Sequence, residues 1–329
     1  MKRRSRKVTI GRLVYLIYYK PVATVRRSIR EGGPWNQLVT ARARREMERT
    51  AREMKPVKGS ESSLPSYEVH MLTGARFWYQ SAFCVRSLAA HSATELIKPV
   101  FYDDGTLGNH RQHLRRIFPS ARLVSYTESE RKLDRVLPEA KFPRLHERWH
   151  SYPNIRKLID PHVGSAGWKL VLDSDMLFFR RPDFLLEWLR APGEPLYMLD
   201  TEESYGYGRD ALTKLAGVPP PKCLNVGVCG LQSEKIDWDR LEQWIAALDG
   251  SGRTTYYLEQ ALVAMLLAGR ECAVAPAQAY ITWPAPEECV QPKAIMHHYV
   301  ADAKQFYFRE SWRVCLRRMQ NSETSNGLV

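Results

Sequence analysis

At 329 residues, with 44% hydrophobic and 26% charged side chains, the chain can bury a full core, and its composition excludes a disordered or fibrous protein. Its formal net charge of +13 is unevenly spread: residues 1–60 carry seventeen Lys or Arg against four Glu, and the remainder carries thirty-two charges of each sign. Arguments about polyanionic partners therefore concern only that first segment, and nucleic acid is not expected to bind the formally neutral body.

Residues 1–60 read as a basic, aromatic arm. Val8 to Tyr19 is apolar but interrupted by Thr9, Gly11 and Arg12 and stopped at Lys20-Pro21, shorter than the roughly 20 residues that span a bilayer. No small-residue cleavage site of a signal peptide follows. Aromatic and aliphatic side chains beside cations suit an anionic membrane surface, and a helical arm packed on the body is the competing expectation. Thr40 to Met54 reads as an exposed helix of mixed charge, and Lys55 to Ser66, with Pro56, Gly59 and Pro65, as a linker to a body spanning 61–329. The six cysteines form no CxxC pair and are expected to be reduced, in a cytoplasmic protein.

From Tyr67 the pattern alternates. Strands are expected at Tyr67–Thr73, Lys98–Tyr102 and Arg122–Tyr126, separated by helices at Phe77–Ala90 and Leu107–Phe118. That alternation calls for a parallel sheet with right-handed crossovers. Trp168 to Phe179 supplies a fourth strand near the middle of the sheet, where the chain switches direction. It carries Asp173-Ser174-Asp175 at its carboxyl end, where ligands bind in open α/β sheets. Two carboxylates two residues apart on extended chain can converge on one hard cation, and a solvated turn is the alternative. Beyond lie a helix at Pro182–Leu189, a strand at Pro195–Asp200 and an aperiodic Gly/Tyr/Pro-rich loop over 201–221. Then come a strand at Cys223–Leu231, helices at Asp237–Leu248 and Leu258–Leu267, and a basic helix at Ser311–Met319.

Three further features bear chemistry. Asn225 and Gly227 share a strand, where Gly permits close approach to a ligand, or a bulge, and Asn offers donor and acceptor. Glu259 and Gln260 open a helix and either cap it or reach a sugar hydroxyl. His298, six residues before Lys304, offers a third metal ligand and a cation for phosphate.

In this order the four pieces resemble glycosyltransferases of the GT-A fold, most closely glycosyltransferase family 8, over roughly residues 67–310. That family's Asp-x-Asp, Asn-x-Gly, Asp-Gln and His-x-x-Gly-x-x-Lys correspond here to Asp173-Ser-Asp175, Asn225-Val-Gly227, Glu259-Gln260 and His298 to Lys304. Glu259 stands for Asp and Ala301 for Gly. The resemblance implies a Rossmann-like, mostly parallel sheet with flanking helices, behind the basic helical arm. It implies a hexosyltransferase, retaining by family habit, that takes a nucleotide-diphosphate sugar, UDP-linked by preference. Asp173, Asp175 and His298 would hold Mn2+ or Mg2+. Ser174, Asn225, Gly227, Lys304 and Arg156 or Lys157 would lie along the donor, with the nucleoside near Leu72, Thr73, Asp103 and Asp104. Asn225, Gly227, Glu259 and Gln260 would face the sugar and an acceptor of glycan, lipid or protein, which the basic arm would place at the cytoplasmic membrane face. An inverting enzyme would instead need a carboxylate near the acceptor hydroxyl, and Asp200 is available on its strand end. Two alternatives use the same sheet: a sugar-phosphate nucleotidyltransferase, whose Gly-rich basic loop is missing from Met71–Phe77, and an inactive scaffold whose arm binds membrane or nucleic acid.

Overall fold

The computed structural model describes residues 33–57, 64–92, 94–250 and 256–326. Residues 1–32, and with them most of the expected arm, lie outside the described residues.

Among the described residues, ten strands form two sheets. β1 (Ser66–Thr73), β2 (Leu96–Asp103), β3 (Arg122–Val124), β4 (Trp168–Leu172), β6 (Leu196–Leu199), β7 (Leu224–Gln232) and β8 (Ala273–Val274) make the larger one, in the order β3-β2-β1-β4-β7-β6-β8. β5 (Met176–Phe178), β9 (Tyr280–Thr282) and β10 (Met296–His298) make the smaller, in the order β5-β10-β9. β4 is the central strand of the seven, as its two-sided apolar run predicts.

The sheet is not wholly parallel, however. β7 runs antiparallel to both β4 and β6, while every other pairing in the large sheet is parallel. Eight of its nine residues are buried. A strand covered on both faces shows no alternation, so its sequence carried no sign of direction.

Apolar cores cover both faces of the large sheet. Alternate residues of one strand enter opposite cores: Leu196 and Met198 join the helix Trp78–Ala90, and Tyr197 joins the helices Pro143–Ser151, Trp238–Gly250 and Leu258–Leu266. The third strand ends two residues earlier than its sequence suggested, at Val124. Ser125 instead caps the helix Tyr126–Val136 by accepting the Glu128 amide at 3.2 Å. The aperiodic 201–221 stretch also holds a helix, Arg209–Ala216, closed by Gly217 at φ +85°.

The helix Gly33–Glu53 lies against the body. Its apolar stripe of Ala43, Met47 and Ala51, with Met54 just beyond, is part of the core rather than solvent-facing. Arg309, from the π-helical turn Tyr307–Ser311, donates to the Thr40 hydroxyl at 2.9 Å, and Arg313 pairs with Glu46 at 2.6 Å. Among the described residues no helix is long and apolar enough to cross a membrane.

Candidate active site

The site is built where the two sheets meet. Asp173-Ser174-Asp175 is the link by which the chain leaves β4 and enters β5. The Asp173 amide donates to the Gly227 carbonyl at 2.8 Å, tying the link to β7. The Tyr299 amide donates to the Asp175 carbonyl at 2.9 Å, tying it to the chain after β10. Register then brings in the histidine: His298 pairs with Met176, the residue after Asp175.

His298 turns Nε2 toward both carboxylates, 3.3 Å from Asp175 and 3.6 Å from Asp173. One ligand atom from each of the three lies within 4.8 Å of the others. Its Nδ1 is buried against β7 with no hydrogen-bond partner. Gly227 makes room for the ring, since a Cβ there would lie 2.6 Å from His298 Cε1 and Nδ1 and 2.9 Å from Asn225 Oδ1. Two carboxylates and an imidazole around one point fit a divalent cation.

Cations flank the pair. Lys304 Nζ is 2.9 Å from Asp175, and Lys157 Nζ is 2.6 Å from Asp173 and 3.1 Å from Glu259. Burial opposes the charge of Asp175, but Lys304 and His298 overcome it and hold the carboxyl far below its usual range. Burial likewise works against charged Lys157, and Asp173 and Glu259 outweigh it, so the ammonium persists. Glu259 is pushed up to about 7 by burial, against the pull of Lys157.

These groups open on a cavity of about 320 Å3. Of the residues singled out in the sequence, Lys157, Asp173, Asp175, Asp200, Asn225, Glu259, Gln260, His298 and Lys304 line it. Asn225 donates to Asp200 at 3.0 Å and accepts the Gly227 amide at 2.8 Å, which orients both side chains. Gln260 donates to the Ser204 carbonyl at 3.0 Å. Neither Glu259 nor Gln260 caps its helix.

The remaining candidates lie outside the lining. Arg156 is buried between the rings of Trp149 and Tyr126, paired with Asp160 at 2.7 Å and donating to the Asp103 carbonyl. Thr73 accepts from Ser81, and Leu72 packs on Val100, Tyr102 and Val124. Asp103 accepts the amides of Gly105 and Leu107 and pairs with Arg111, while Asp104 accepts from Thr106. These are local turn and core contacts. Ser174 sits on the turn itself, and Gly227 acts through His298.

Ala301 occupies the position of the family glycine and adopts φ +47°, the left-handed conformation a glycine would supply. Sequence reasoning missed Trp283, 42% exposed at φ +57°, and Tyr256, 72% exposed, both at the cavity. Exposed aromatic side chains beside polar groups were the available signal.

The apo structure of WbbM, a bifunctional glycosyltransferase, matches 81% of this chain and 51% of its own at 10% identity and a TM-score of 0.50. The fold is that of GT-A glycosyltransferases. Mouse xyloside xylosyltransferase 1 (13% identity, 71% of this chain, 97% of that one, TM-score 0.48) is also similar to this GT-A domain. So is the galactosyltransferase LgtC, solved with donor and acceptor sugar analogues (12%, 78%, 95%, 0.49). No family model and no curated protein matches the sequence. At such identities the likeness concerns architecture, and the chemistry must be argued from the GT-A domain's own residues.

Proposed function

We propose that this protein is a divalent-cation-dependent glycosyltransferase that moves a sugar from a nucleotide-diphosphate sugar, preferably UDP-linked, to an acceptor hydroxyl. The observation that carries it is the convergence of Asp173, Asp175 and His298, with Lys304 beside them, in the lining of a cavity that Asp200, Asn225, Glu259 and Gln260 also line.

Asp173, Asp175 and His298 would hold Mn2+ or Mg2+. Such a cation supplies charge neutralisation for a departing nucleotide diphosphate. Lys304 adds a fixed positive charge on the same side, already in place before reaction and so needing no reorganisation. Lys157 bridges half-buried Asp173 and buried Glu259, and its charge offsets the repulsion between the two carboxylates. Asp200, Asn225, Glu259 and Gln260 line the cavity with acceptors and donors of the kinds that sugar hydroxyls take. Asp200 is a carboxylate of the cavity lining held in place by the Asn225 amide and the Thr201 N–H.

Residues 1–32 hold ten Lys or Arg against one Glu beside the aromatic run Leu13–Tyr19, which supports attachment to the anionic, cytoplasmic face of a membrane and an acceptor presented there. Removing residues 1–32 should abolish sedimentation with anionic liposomes; unchanged sedimentation would remove the membrane from the proposal.

A thermal-shift panel of nucleotide sugars with Mn2+ tests the donor class. Binding to the folded state raises the melting temperature by mass action, so one nucleotide sugar should do so with Mn2+ and fail with a chelator. No shift with any of them would contradict the proposal.

A further inference from the structure

A second chamber, of about 650 Å3, adjoins the first and shares Tyr256, Ala301 and Lys304 with it. Its far wall is not part of the sheet domain's own turns: Asn36, Gln37, Thr40, Ala41 and Arg44 of the helix Gly33–Glu53 line it. Beyond Tyr256, the rest of the lining comes from the turn after β1, with Arg76 and Phe77, from Gln80 in the first turn of the helix Trp78–Ala90, and from the segment after β10.

The lining chemistry differs between the two spaces. The smaller cavity offers carboxylates and amides suited to sugar hydroxyls. The larger offers two guanidinium groups, Arg44 and Arg76, together with the ring of Phe77 at 38% exposure. Asp302, the one acid among the described lining residues, has a buried carboxylate oxygen with no hydrogen-bond partner. Lys304 stands at the junction, where a diphosphate held at Asp173, Asp175 and His298 would lie. With the diphosphate there and the sugar on the hydroxyl-binding side, this chamber is the adjoining space for the nucleoside.

The helix is fixed in that role. Arg44 donates to the Tyr79 hydroxyl at 2.5 Å and to the Arg76 carbonyl at 3.1 Å, so it braces the turn after β1 against the helix. Arg309 clamps Thr40 from behind, and the opposite stripe is core.

We infer that the helix Gly33–Glu53 forms one wall of the compartment that receives the nucleoside of the donor, so that a segment ahead of the sheet domain is part of its binding site. This rests on the transferase proposal above.

The test is calorimetric titration of the full chain, with saturating Mn2+, against UDP, GDP, ADP and CDP, using the tightest binder as probe. Ala41 is exposed and makes no clamp, so Ala41→Trp fills the chamber and Ala41→Glu adds a charge that repels phosphate. Both should weaken the probe at least tenfold while keeping the parental melting temperature. Arg49→Trp, exposed on the same helix but outside the lining, should bind as the parent does. Parental affinity in both Ala41 variants would overturn the inference and leave the transferase proposal standing. Equal weakening by Arg49→Trp would also overturn it, by showing an effect not confined to the chamber. A parent that binds no nucleoside diphosphate would remove both.

Discussion

Gly227→Ala tests how the metal ligands are held. The added Cβ would meet the His298 ring at 2.6 Å and Asn225 Oδ1 at 2.9 Å, closer than packed atoms tolerate, and neither neighbour is a free chain end. The ring is buried on β10, paired through Met176, and Asn225 is tied to Asp200. Overpacking of this kind costs about 1–3 kcal/mol. In a domain of this size that lowers the melting temperature by roughly 2–4 °C per kcal/mol. Because the clash is with the ring, relief should come from His298→Ala. A double-mutant cycle by thermal or urea unfolding should therefore give a coupling of about 1–2 kcal/mol, with Gly227→Ala nearly neutral in the His298→Ala background. Mn2+ should stabilise the parent and fail to stabilise Gly227→Ala. An equal cost of Gly227→Ala in both backgrounds would refute the cradle.

Ala301→Gly should raise stability by up to about 1 kcal/mol, since leaving the left-handed penalty behind outweighs the flexibility gained by the unfolded chain, and a loss by urea unfolding would contradict the strained φ. Arg156→Ala should destabilise by about 3–5 kcal/mol by stranding Asp160, and a fully stable variant that merely loses donor affinity would return Arg156 to the donor site. Burial pushes His162 down to about 3 and His297 down to about 4, so both are neutral when folded, whereas the unfolded chain takes up their protons below about 6.5. Their contribution to stability is therefore whole above about pH 6.5 and falls toward pH 4, by about 1.4 kcal/mol per pH unit for each. His162→Gln should flatten the slope of unfolding free energy against pH in that window, and an unchanged slope would count against a buried neutral His162.

The central strand and its two carboxylates were legible in the sequence because an apolar run ending in acids marks the carboxyl edge of a sheet. The pairing of His298 with Met176 was not, since a three-residue strand 120 residues on carries no register of its own. Lys157 and Arg156 are neighbours of equal charge, and sequence could not say which one faces the cavity. Burial separates them: Arg156 has Asp160, Trp149 and Tyr126, whereas Lys157 has the site's own carboxylates. Leu72, Thr73, Asp103 and Asp104 do stand at strand ends, yet each is taken up by a turn or a core contact. The helix from Gly33 read as solvent-facing because its stripe is narrow and made of Ala and Met among many charges. Small side chains of that kind are what close packing against another helix requires, and they leave a weak apolar signal.

Donor turnover by purified protein, with and without divalent cation, for the parent, Asp175→Ala and His298→Ala, bears most directly on the account. It predicts hydrolysis of or transfer from one nucleotide sugar by the parent only when the cation is present, with both variants losing turnover and nucleotide affinity together. Turnover that is indifferent to the cation, or that survives in both variants, would contradict it.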